Sequence, residues 1–186
     1  MIVAESLQFT IEIEDSRMAA KENVTLIGMP GSGKTTISQY LARHWGWTFF
    51  DTDHFIERSE GKRLEEIIDV VGFEAFLQIE AGYVQKVTGT KQVISTGGSV
   101  IYVDAAMQYL RSISTVVYLD VPAIELEQRA GDLKVRGVVI APGKTMTDLW
   151  RERHPLYVKY AHLSVICHGD EPGRSGEEVV RAVETS

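Results

Sequence analysis

Residues Gly28-Met29-Pro30-Gly31-Ser32-Gly33-Lys34-Thr35 carry the spacing G-x-x-x-x-G-K-[ST]. The demands of holding a polyphosphate explain each residue type. Glycine permits positive φ and lets backbone N–H groups turn inward with no Cβ in the way. Donors turned this way form an anion nest at a helix N-terminus, where the helix dipole also favours negative charge. Lys34 supplies an ammonium for the β- and γ-phosphates. Thr35 offers a hydroxyl to Mg²⁺, an ion that otherwise keeps water and phosphate oxygens around it. Gly28, Gly31, Ser32, Gly33, Lys34, Thr35 and Thr36 are therefore the candidate ligands of ATP with Mg²⁺. The loop by itself specifies a nucleotide and leaves the reaction open.

Such a loop works only between a strand and a helix, and the flanking residues predict both. Residues 24–27 form a short apolar run, and 35–45 place Ile37, Tyr40, Leu41 and Trp45 at helical spacing. A second apolar run at 47–50 ends in Asp51-Thr52-Asp53. Helices are expected over 54–70 and 73–87, and a strand over 92–95 closes on Thr96-Gly97-Gly98. A helix at 103–111 leads to a strand at 115–119, and Pro122 is read as the first residue of the next helix, which runs to about Ala130. Gly131, Gly137, Pro142 and Gly143 mark 131–144 as a mobile loop. A helix at 145–160, a strand at 163–166 and a helix at 175–184 complete the pattern. Strands separated by helices predict an α/β fold with a parallel sheet covered on both faces. Residues 1–22 stand apart: Leu7, Phe9, Ile11 and Ile13 alternate with polar residues as in a half-buried strand, so an added edge strand is expected there, ahead of a partner-binding strand or an ordered tail.

Composition sets outer limits. A chain of 186 residues suits one compact domain. A net charge of −7 argues against a nucleic-acid surface, which needs clustered Lys and Arg. One cysteine, Cys167, excludes an internal disulfide, and it reads as a small buried residue. No apolar run is long enough to span a bilayer, and the acidic start lacks the basic and apolar regions of a secretory signal. The expectation is a soluble, cytoplasmic protein, monomeric or weakly oligomeric, that acts on a small molecule. The five histidines show no metal-binding spacing. Trp45, Trp47 and Trp150 are read as packing residues.

Further motifs follow the loop in order: Asp51-Thr52-Asp53, Gly72-Phe73-Glu74-Ala75-Phe76 with Glu80, Thr96-Gly97-Gly98-Ser99, Arg129 and Arg136, and Arg153-His154-Pro155-Leu156-Tyr157. In order and spacing the series resembles shikimate kinase, within the nucleoside-monophosphate-kinase-like group, over about 24–161. The resemblance implies a three-layer P-loop kinase fold with a five-stranded parallel sheet and a lid, here placed at about 131–144 of a kinase domain spanning 23–186. It implies that Asp53 orients or deprotonates the acceptor hydroxyl and that Asp51 holds the Mg²⁺ hydration shell. It also implies that Gly97 and Gly98 admit the acceptor to the backbone, Arg129 lies along the adenine, Arg136 comes from the lid and Arg153 pairs with an acceptor carboxylate. Phosphoryl transfer needs positioning and charge neutralisation more than covalent catalysis, so these residue types suit it. Asp120 ends an apolar strand and imitates a magnesium ligand, but in the resembled family the acid at that place is not the metal ligand, so Asp51 ranks above it.

Departures fall on the acceptor side. The family carries an arginine after Phe76, where this chain has Leu77; Ser99 replaces the third glycine of a triplet; and the lid reads Arg136-Gly137-Val138-Val139. The expected acceptor is shikimate or another small hydroxylated metabolite, whether hydroxy acid, amino alcohol or polyol, and Leu77 predicts poor use of shikimate. A nucleotide-binding regulatory module without turnover is the alternative from another class. A nucleoside-monophosphate kinase fits less well, since no second arginine cluster is present.

Overall fold

The computed structural model describes residues 22–133, 145–167 and 172–186, with side chains 129–133 and 172 excepted. Five strands, β1 (Asn23–Gly28), β2 (Thr48–Asp51), β3 (Gln92–Ser95), β4 (Thr115–Asp120) and β5 (Leu163–Ile166), form one parallel sheet in the order β2-β3-β1-β4-β5. The eight α-helices of the described residues are α1 (Lys34–Trp45), α2 (Thr52–Glu60), α3 (Leu64–Val71), α4 (Phe73–Val84), α5 (Asp104–Ile113), α6 (Ala123–Leu133), α7 (Met146–Tyr160) and α8 (Pro172–Glu184). This is the expected α/β architecture.

The central strands are buried over most of their length because helices cover the sheet. Leu26, Ile27, Val93, Ile94, Val116, Val117 and Leu119 are all buried in the main core with Ile37, Leu41, Met107 and Leu110. A smaller cluster of Ile56, Ile67 and Phe76 packs α2, α3 and α4 together. The strand order puts β1 in the middle, with β3 and β4 on either side. Ligands of open α/β sheets bind beyond the carboxyl ends of the strands, where the order reverses. That edge carries the loop after β1, the Asp51 end of β2 and the Ser95 end of β3; Asp51 and Ser95 are themselves in register.

Several boundaries differ from expectation. The helix expected over 54–70 is two helices, because Gly61 takes a left-handed φ of 65° as the C-cap of α2 and the chain turns before α3. The helix expected over 73–87 stops at Val84. Pro122 precedes α6 rather than opening it, and its carbonyl accepts from the N–H groups of Glu125 and Leu126. Residues 131–133 belong to α6, so the loop expected from 131 begins no earlier than 134; residues 134–144 lie outside the described residues. The last helix starts at Pro172, three positions before the expected 175. The predicted strand within 1–21 also lies outside the described residues, while the carbonyl of Glu22 accepts from Lys91 N at 2.7 Å.

Cys167 is buried, and Trp45, Trp47 and Trp150 pack against the core as expected. Among the described residues, no helix is long and apolar enough to cross a membrane.

Candidate active site

The loop between β1 and α1 closes on itself through Ser32 N donating to Met29 O at 3.1 Å. Gly33 caps α1 with φ 88°, a left-handed conformation that costs a residue with a Cβ about 1 kcal/mol or more. Lys34 is the first residue of α1, and its Nζ donates to Gly28 O and Met29 O, each at 2.9 Å. The ammonium is thus held at the mouth of the loop. Burial lowers the Lys34 pKa to about 8, against an opposing pull from Asp53. Ser32 Oγ is buried without a hydrogen-bond partner. A phosphate oxygen is the kind of group such a hydroxyl can serve.

Thr35 and Thr36 face the solvent at the start of α1. Thr35 Oγ1 donates to Asp51 Oδ2 at 3.4 Å, and Asp51 Oδ1 caps α2 by accepting from His54 N at 3.1 Å. Asp51 is therefore both a helix cap and a neighbour of the loop threonine. One hydroxyl and one carboxylate make an all-oxygen donor pair, which fits Mg²⁺, an ion that takes few protein ligands and fills its sphere with water and phosphate oxygens. When bound, the ion supplies charge neutralisation for the β- and γ-phosphates. Asp120 is elsewhere: it accepts from Tyr118 OH at 3.0 Å, and His154 Nδ1 lies 3.7 Å from it.

A cavity of about 250 Å³ opens beside the loop. Pro30, Gly31, Gly33, Lys34, Thr35 and Thr36 line it from the loop and the start of α1, and Asp53, Phe76, Glu80, Gly97, Gly98, Ser99 and Arg153 line it from the surrounding elements. Asp53 as a residue is half-buried, yet its Oδ1 is sealed from solvent and has no hydrogen-bond partner. Burial of the carboxyl, reinforced by the nearby Asp51, raises its pKa to about 6 despite Lys34. Arg153, on α7, is 4% exposed, and its Nε donates to Tyr102 OH at 3.0 Å. Tyr157, one turn on, donates to Gly98 O at 2.7 Å and so fixes α7 to the glycine turn. Thr96 Oγ1 anchors the same turn to Leu26 O at 3.0 Å.

Gly97 is glycine for lack of room. A Cβ there would fall 2.7 Å from Asp53 Oδ1 and collide with Glu80 Oε1. Gly97→Ala should therefore push both carboxyls out of place. A displacement near 1 Å at a reacting group costs roughly 10²-fold in rate. Steady-state kinetics should show kcat/KM for the acceptor falling by about that factor, with ATP affinity changed by no more than a few-fold.

Sequence reading did not assign Glu80 to the site. It is 1% exposed, its Oε2 accepts from Ser99 Oγ at 2.8 Å, and its Oε1 has no hydrogen-bond partner. Burial first, then the Asp53 carboxylate, raise its pKa to about 8. The i, i+4 spacing of Phe76 and Glu80 was the available signal, because it puts both on one face of α4. Leu77 is half-buried on the same helix but is not part of the cavity wall. Arg129 lies in α6 with its side chain outside the described residues, and Arg136 is outside them altogether.

The two perturbed groups predict opposite limbs of a pH profile. Asp53 cannot take a proton once protonated, so kcat/KM for the acceptor at saturating ATP should fall as pH drops through about 6. Lys34 loses its charge above its lowered pKa, so kcat/KM for ATP should fall as pH rises through about 8. Initial rates across pH 5–9.5, with each substrate varied in turn, check both limbs; a flat acid limb would remove Asp53 from the proton's path.

The shikimate kinase family profile matches residues 30–184. The shikimate kinase of Thiobacillus denitrificans is 30% identical over 151 residues, which is 80% of this chain and 82% of that protein. That of Moorella thermoacetica is 34% identical over 165 residues, 87% of this chain and 94% of that protein. Among solved structures, shikimate kinase from Acinetobacter baumannii in complex with shikimate superposes with a TM-score of 0.82 at 29% identity, covering 88% of this chain and 93% of that one. With the family profile spanning most of the chain and these relatives matched over most of their length, the chain belongs to the shikimate kinase family, ATP- and Mg²⁺-dependent phosphotransferases that act on a hydroxyl.

Proposed function

We propose that this protein transfers the γ-phosphoryl group of ATP to a hydroxyl of a small metabolite seated against Asp53, Gly97 and Gly98, with shikimate or a related hydroxylated molecule as acceptor. The observation that carries this reading is that Lys34 and Asp53 line one cavity. The loop amides and Lys34 hold the phosphates, and Thr35 and Asp51 are placed to hold Mg²⁺. Asp53 Oδ1, unpartnered and aimed at the acceptor end, accepts the hydroxyl hydrogen and orients the oxygen toward the γ-phosphorus. Arg153 presents its guanidinium beside Gly98, where an acceptor carboxylate or phosphoryl oxygen can meet it. Arg129 and Arg136 are assigned the adenine face and the lid, and 134–144 the closure that excludes water.

Lys34 and Asp53 in one cavity argue for turnover over a nucleotide-binding module without it. Coupled ADP release, measured with ATP–Mg²⁺ and a panel of hydroxylated metabolites that includes shikimate, tests the proposal. Acceptor-dependent ADP release and a phosphorylated product are expected. ADP release that no acceptor stimulates would overturn it.

A further inference from the structure

The acceptor end of the cavity holds one carboxylate more than phosphoryl transfer uses. Asp53, from α2, is the group that meets the hydroxyl. Glu80, from α4, is a second carboxyl, and the site of Gly97 brings its Oε1 and Asp53 Oδ1 to within reach of a single atom. Neither oxygen has a hydrogen-bond partner among the described residues. A buried carboxyl oxygen without a partner gives up its solvation with nothing in return, and the cost rises if the group is ionised. Glu80 is nevertheless held in place, by Ser99 Oγ on its other oxygen and by the packing of Phe76 one turn before it.

Two cations near this corner offset part of its negative charge, Lys34 acting on both carboxyls and Arg153 on Glu80, but neither is hydrogen-bonded to the two unpartnered oxygens. Lys34, from α1, is bound to two loop carbonyls and belongs to the phosphates. Arg153, from α7, holds Tyr102 and borders Gly98. Among the described residues no ion pair reaches Glu80, and its helix neighbour Leu77 brings no charge. A neutral acceptor would leave two carboxyls repelling each other across Gly97, satisfied only by a proton on one of them. A protonated amine placed between them answers both oxygens with N–H donors and offsets the charge of both carboxyls. The raised pKa of Glu80 follows from the same burial and would fall on binding such a cation.

We propose that the acceptor is a small hydroxylated primary amine, with Glu80 binding its ammonium while Asp53 meets its hydroxyl. The proposal rests on the kinase reading above and names the acceptor class. Amino alcohols and hydroxy amino acids share this chemistry; the latter would add a carboxylate for Arg153.

The experiment compares matched acceptors: short amino alcohols and hydroxy amino acids, each beside its N-acetylated and deaminated analogue, with shikimate as a further arm, all with ATP–Mg²⁺. The free amines should exceed their analogues in kcat/KM by about ten- to a hundred-fold, the worth of a charge-assisted hydrogen bond. Glu80→Gln should collapse that ratio toward one, and Glu80→Asp should restore part of it. ATP affinity measured on each variant confirms that the protein is folded. If Glu80→Gln does not fold, Ser99→Ala, which frees the carboxylate from its anchor, should still narrow the ratio. Equal turnover of amines and analogues, or shikimate turnover alone, would overturn this inference and leave the kinase reading standing. ADP release with no acceptor at all would overturn both.

Discussion

Lys34→Ala should abolish turnover, with kcat/KM for ATP falling by at least about 10³-fold, the upper range for removing one preorganised transition-state donor. The reason is positional. Lys34 is the first residue of α1, its stem is buried, and two carbonyls of its own loop aim its ammonium at 2.9 Å. The charge that develops on the transferring phosphoryl group would lose its nearest fixed counter-charge. The site around it is otherwise undisturbed by the change, so Tm should stay close to that of the parent. Single-turnover rates and a fluorescent nucleotide titration check the two halves of the claim. A variant turning over within a few-fold of the parent would require another cation at the γ-phosphate.

Asp53→Asn should lower kcat by about 10²–10⁴-fold, the range for losing a positioned general base, while ATP affinity stays within a few-fold. An amide fills the same volume beside Gly97 but cannot take a proton, and its NH₂ would point donors where the acceptor hydroxyl also brings one. Asp53 does not touch the loop in any hydrogen bond, whereas Asp51 reaches Thr35 at 3.4 Å. The corresponding Asp51→Asn change should therefore act through the Mg²⁺ dependence, raising the metal concentration needed for half-maximal rate. Opposite behaviour of the two variants under a Mg²⁺ titration would exchange the roles given to the two aspartates.

The part of this protein written locally was legible from sequence. The nucleotide loop is a run of contiguous residues whose backbone must turn one way, and the apolar runs on either side say which elements flank it. The alternation of apolar strand runs with helical patterns was sufficient to expect a parallel α/β sheet. Errors gathered where one residue decides a boundary. Gly61 ends a helix by adopting a left-handed conformation inside an otherwise helical pattern, and Pro122 sits just outside α6 instead of within it. Such choices depend on neighbours that periodicity does not contain.

What tertiary structure alone decided is the place of Glu80 beside Asp53 and Gly97. Glu80 stands 27 residues beyond Asp53 and 19 before Ser99, and only the packing of α2 and α4 against the turn after β3 joins the three at Gly97. Whether an acidic residue on a helix faces water or a cavity is set by which face the rest of the molecule covers. Here Phe76, one turn earlier, is drawn into the cluster of Ile56 and Ile67, and that burial turns Glu80 inward with it.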